Sequence, residues 1–234
     1  MADLNQQGFE FAVIGGIAVG AYGRATGTTL LSGDLNLYTD PRTLRDILSW
    51  SRKRGIEVLK PPYVRGLDVA LLRWDGKPFD VLSSSKGLPR PAEVIRNARE
   101  FSLAGTDLDV PVADPFDLLA NKLAVNREKD QPHIAVLKHY IELEVEKAFT
   151  HETNGRRRIG PATRYLNVLG RSTLPPALAH RLMAVADHPA CFRFLAGRIP
   201  DASFAPALVR RPTDPATQAV VADILVDRFP RAAG

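Results

Sequence analysis

The stretch VIGGIAVGAYGR, residues 13–24, followed after a short gap by SGDLNL, residues 32–37, decides the fold. Phe9 to Ile14 is a short apolar, β-prone run that stops at Gly15-Gly16, which predicts a strand entering a tight turn. Ile17 to Tyr22 is built from small apolar helix formers, and Gly23 stands where it can end a helix. Asp34 to Tyr38 alternates polar and apolar residues, the pattern of a half-buried strand, so Asp34 and Asn36 leave the same face.

Working outward, Asp40 and Pro41 read as the N-cap and first residue of a helix over Arg42 to Arg54, closed by Gly55. Residues 67–74 and 78–82 are extended runs joined by Asp75-Gly76-Lys77, and Asp-Gly is strong hairpin chemistry. A second β region spans Glu100 to Val112 with a polar break at Gly105-Thr106. Asp114-Pro115 repeats the N-cap signal for a helix reaching about Arg127, and another helix covers Pro132 to Phe149. The segment HETNGRRRIGPAT, residues 151–163, reads as a linker or exposed loop. Beyond it lie short helical patterns interrupted by Pro175-Pro176, Pro189, Pro200, Pro206, Pro212 and Pro215. The order predicts an α/β (α+β) chain, a mixed sheet flanked by helices with a helical C-terminal part. The expected division is 1–149 and 150–234.

Three local features carry chemistry. Gly15-Gly16 lets backbone approach a ligand and opens a helix whose first N–H groups attract phosphate; the same pair also makes an ordinary turn. Asp34 and Asn36 on one strand face can hold a hard cation such as Mg²⁺, or simply form a solvated face. Asp80 interrupts the apolar run around Phe79 and Val81, facing inward to complete a metal cluster or outward by plain alternation. The five histidines, His133, His139, His151, His180 and His188, show no metal-ligand spacing.

In this order the glycine turn, the Asp34-x-Asn36 strand and Asp80 resemble the DNA polymerase β-like nucleotidyltransferase superfamily, looking closest to its bacterial AbiEii-type toxin branch. The stretch from Asp117 through Lys122 and Arg127 to Asp130 is similar to the family's helix carrying a Lys, then an Arg and a Lys-Asp pair. The resemblance covers about residues 9–147; residues 151–234 carry no such match. It implies a nucleotidyltransferase fold and two-metal chemistry with Mg²⁺ or Mn²⁺, in which a nucleoside monophosphate passes from a nucleoside triphosphate to an acceptor hydroxyl. On that reading Asp34, Asn36 and Asp80 are the catalytic and metal-binding set. Gly15 and Gly16 hold the triphosphate, while Lys122 and Arg127 offset its charge; Arg127 equally suits a surface pair with Asp130. Asn36 departs from the family's aspartate. It keeps one carbonyl acceptor and loses a negative charge, which lowers metal affinity there. Asp40, about 13 Å further along the strand, is too far to substitute, and Asp68 serves only if the hairpin register carries it to Asp34.

Charge points to partners. Residues 1–150 hold 19 Lys/Arg against 20 Asp/Glu, whereas residues 151–234 hold 12 against 6. Arg156, Arg157, Arg158, Arg164 and Arg171 therefore favour a polyanion such as tRNA, or reflect an arginine-rich solvated surface. An antibiotic acceptor, cationic when an aminoglycoside, suits that composition less well. The alternatives carried forward are a degenerate member that binds nucleotide, RNA or a protein partner such as an antitoxin, and an antibiotic-modifying enzyme. One cysteine, Cys191, excludes an intrachain disulfide and a cysteine zinc cluster. The N-terminus lacks a signal-peptide pattern and no apolar run reaches membrane length, so a cytoplasmic protein is expected.

Overall fold

A computed structural model describes residues 2–30, 32–62, 68–102, 108–199 and 215–228. The chain divides into two compact units, 1–140 and 141–234. The boundary falls inside a continuous helix, upstream of the division expected at 149/150.

In the first unit the order is α1 (Ala2–Gln6), β1 (Ala12–Ile14), α2 (Gly15–Ala25), β2 (Leu35–Tyr38), α3 (Pro41–Lys53), β3 (Glu57–Lys60), β4 (Val69–Trp74), β5 (Lys77–Leu82), α4 (Pro91–Arg96), β6 (Arg99–Ser102), β7 (Asp109–Val112) and α5 (Pro115–Val125). A 3-10 turn (Glu128–Asp130) then leads into α6 (Gln131–His151). The strands form one seven-stranded sheet in the order β3-β4-β5-β2-β1-β7-β6. β1 runs antiparallel to β2 and parallel to β7, and β2 runs parallel to β5, so the sheet is mixed and flanked by helices as the sequence predicts.

Local chemistry explains the elements. Asp40 accepts from Arg42 N and Thr43 N, capping α3 with Pro41 at its first position. Asp114 caps α5 likewise, accepting from Phe116 N. Asp75 and Gly76 both take positive φ, 49° and 73°, the two-residue hairpin turn that their chemistry favours. The resulting pairing gives the sheet a core face carrying Val13, Leu37, Ala70, Leu72, Phe79 and Val81, all buried. α2 is fixed by Tyr22, fully buried, whose hydroxyl donates to Ala113 O and whose ring meets Phe101 and Tyr140 edge-on.

Several expectations change. Gly23 does not end α2, which runs to Ala25; glycine is required there because a Cβ would sit 2.9 Å from Thr28 O. The polar break expected at Gly105-Thr106, the strand start at Leu67, and Pro200, Pro206 and Pro212 lie outside the described residues. Asp68 turns away from the acidic strand. It sits one residue before β4, opposite in parity to Leu71, the partner of Asp80, and its carboxylate accepts from Ser84.

In the second unit the expected linker over 151–163 is mostly helix: α6 continues to His151 and α7 spans Gly155–Leu169. The cause is Asn154, whose side chain accepts from Arg156 N and Arg157 N and so starts a helix within a polar run. α8 (Pro176–Val185), α9 (Pro189–Ala196) and α10 (Pro215–Arg228) follow. Their prolines are starts rather than interruptions, each at the first helical position, where its missing N–H costs nothing. Cys191 is free and buried.

Candidate functional site

β2 and β5 run side by side with Leu35 opposite Phe79 and Asn36 opposite Asp80. Residues opposite one another in a sheet share a face, so Asn36 and Asp80 project together, about 4.8 Å apart at the backbone, from the face that also carries the buried Ile14 and Tyr38. Asp34 stands just before β2, exposed, and its carbonyl accepts from Asn36 Nδ2 at 3.2 Å. Burial raises the Asp80 carboxyl above its ordinary range, and the nearby negative charge of Asp34 raises it further. The two carboxylates and the amide thus form one acidic edge, with Asp80 half-buried at its base.

The glycine turn touches this edge directly. Gly15 has φ of 77°, and a Cβ on it would lie 2.6 Å from Asn36 Nδ2. Glycine is therefore needed twice, for conformation and for clearance. Gly16 is also closely covered: the Ser32 hydroxyl occupies the place a Cβ would take, and His133 Cε1 lies 3.5 Å from it. α2 begins after Ile14, whose extended backbone offers no side-chain cap. A helix start without a side-chain cap leaves its first N–H groups without a partner from the helix or the cap residue.

Lys122 and Arg127 converge on Asp130. Lys122, 3 % exposed, donates to Asp130 Oδ1 at 2.6 Å, and Arg127 Nε donates to Asp130 Oδ2 at 2.7 Å. Burial alone would raise the Asp130 carboxyl, but the bonds from Arg127 and Lys122 outweigh it and hold it far below the ordinary range. The Arg127–Asp130 pairing is the one the spacing allows at i, i+3. Asp130 serves both cations at once, through a lysine eight residues upstream.

His133 is the residue that sequence reasoning passed over. It sits in the first turn of α6, between Gly16 and Asp130, with Nδ1 3.5 Å from Asp130 Oδ1. Its spacing of three from Asp130 is the one signal in the sequence, and metal-ligand spacing does not detect it. Among the described residues no group of three His, Cys, Asp or Glu side chains could hold a metal ion. Any cation at the acidic edge would bind Asp34 and Asp80, with the Asn36 carbonyl oxygen and outside ligands completing its shell.

No protein-family model matches the chain, and no curated protein matches it. Among solved structures it is similar to a lincosamide antibiotic adenylyltransferase, LnuA, at 13 % identity and TM-score 0.45, covering 59 % of this chain and 92 % of that one. It is also similar to the antibiotic-resistance factor ANT(2'')-Ia, at 14 % identity and TM-score 0.40, covering 72 % and 90 %. A tRNA nucleotidyltransferase, solved with a primer tRNA and an incoming ATP analogue, is similar at 12 % identity and TM-score 0.29, covering 97 % and 83 %.

Proposed function

We propose that this chain is a nucleotidyltransferase of the DNA polymerase β-like kind, related to the AbiEii-type toxins, with the acidic edge as its catalytic centre. The carrying observation is the contact of three elements: Asn36 beside Asp80 in register, with the Gly15 backbone pressed against Asn36. A turn that admits no side chain, at the start of a helix without a side-chain cap, suits a triphosphate, and an acidic edge beside it suits the metal that accompanies one.

In the reaction an acceptor hydroxyl oxygen bonds to the α-phosphorus and releases its proton to solvent, while the bond to the bridging oxygen breaks and pyrophosphate leaves. Bound Mg²⁺ or Mn²⁺ would supply Lewis-acid stabilisation of the attacking and leaving oxygens. The residues fit such a cation, because Asp80 and Asp34 crowd negative charge that a cation would relieve. Gly15 and Gly16 amides orient the phosphates. Asp80 and Asp34 would hold the metal ion, and Asn36 would contribute a neutral oxygen. Lys122 and Arg127 act through Asp130, which fixes them as a cationic background rather than as free side chains. The acceptor we favour is tRNA, from the basic balance of residues 151–234.

A second reading, a degenerate member that binds nucleotide without turnover, is favoured by one observation. The Asn36 amide is engaged by the Asp34 carbonyl, where an aspartate would add charge. Incubation with labelled nucleoside triphosphates, Mg²⁺ or Mn²⁺ and total tRNA separates the two. Transfer by the wild type that Asp34→Ala abolishes establishes the enzyme. Transfer only by Asn36→Asp establishes degeneracy, and no transfer or triphosphate binding by any form refutes both.

A further inference from the structure

His133 is in an unusual position for a packing residue. Among the described residues its buried Nδ1 has no well-formed hydrogen bond, although buried polar atoms in folded proteins nearly always make one. The nearest acceptor, Asp130 Oδ1 at 3.5 Å, already accepts from Lys122 at 2.6 Å and from Arg127 Nη2 at 3.2 Å. Asp130 Oδ2 accepts from Arg127 Nε. Two full positive charges therefore face a single carboxylate, and the imidazole completes the cluster on the side of the glycine turn. Burial and the Lys122 ammonium lower the His133 pKa, Asp130 opposes them, and Arg127 lowers it again, so the surroundings favour the neutral ring. A polyanion brought to Gly16 would reverse that balance of charge.

We propose that His133 is a phosphate-binding residue of this site, and that it takes up one proton from solvent as a triphosphate settles on the Gly15–Gly16 turn. The inference rests on the nucleotidyl-transfer reading above. The added proton makes both ring nitrogens donors: Nε2–H toward a non-bridging phosphate oxygen, and Nδ1–H toward Asp130 Oδ1, which gives the buried nitrogen a well-formed bond. The free protein then keeps a neutral ring among its own cations, and the charge appears only with the ligand.

Titration calorimetry with inorganic tripolyphosphate and Mg²⁺, in buffers of different ionisation enthalpy, counts the protons taken up. Wild type should take up close to one more proton than His133→Gln. Its Kd should rise with pH more steeply than the variant's, by up to about ten-fold per pH unit between the free and bound pKa values of the ring. Equal proton uptake and parallel pH profiles in the two proteins overturn the proposal and leave the nucleotidyltransferase reading standing. Loss of binding by every form removes the phosphate site itself and the proposal with it. Should the variant fail to fold, proton NMR of the wild type decides. One of the five histidine Cε1–H resonances must titrate at higher pH when tripolyphosphate is added, and five unchanged titrations overturn the proposal.

Discussion

Asp130 shows how much rests on one side chain. It is 1 % exposed and neutralises Lys122, itself 3 % exposed, so its removal strands a buried ammonium. Asp130→Asn should cost about 3–5 kcal/mol, the range for breaking a buried ion pair from one side, measured by urea unfolding at neutral pH. The pH sign follows from a carboxyl held below its unfolded value. Its contribution is complete above about pH 4, the unfolded range, and is lost as pH falls toward the folded pKa. Wild type should lose stability across that acid window more steeply than the variant; equal slopes would refute the assignment. At the glycine turn, Gly15→Ala meets both a positive φ and Asn36 Nδ2 at 2.6 Å. It should therefore disturb the acidic edge as well as the backbone.

At the scale of elements, helix starts carry much of the stability that can be assigned locally. Asp40 accepts from two backbone amides of α3 and from the Thr43 hydroxyl. Asp40→Ala should cost about 1 kcal/mol and lower Tm by roughly 2–4 °C in a chain of this size, checked by thermal unfolding; an unchanged Tm would deny the cap. Such features were legible in the sequence because they are local: Asp40-Pro41, Asp114-Pro115 and Asp75-Gly76 each state their own geometry. Asn154 is equally local, but the glycine and arginines after it carry the composition of a loop and mask its cap. Strand order was not legible. The parallel pairing of β2 with β5, which sets Asn36 beside Asp80, joins residues 44 apart in sequence through a register that only the packed sheet decides. His133 was hidden for the same reason, since its neighbour Gly16 is 117 residues away.

For the whole molecule, charge is the property that composition states and structure revises. The excess of 12 Lys/Arg over 6 Asp/Glu lies within residues 151–234, but its arginines differ in what they can do. Arg158 donates to Phe149 O and pairs with Asp187, and Arg181 pairs with Glu142 and Glu146, so both are consumed inside their unit. Arg156 and Arg157 are exposed in the first turn of α7, at the positive end of the helix dipole. Cations there cost the helix a few tenths of a kcal/mol each, a cost that contact with phosphate would offset. If tRNA is the partner, Arg156→Ala with Arg157→Ala should weaken its binding and lower the magnitude of the slope of log K against log salt by about 1.5, two contacts' worth of released counterions. Arg158→Ala should leave that slope intact and instead lower Tm. Fluorescence titration of tRNA across a salt series measures both variants, and a slope unmoved by the double substitution would take α7 out of the interface.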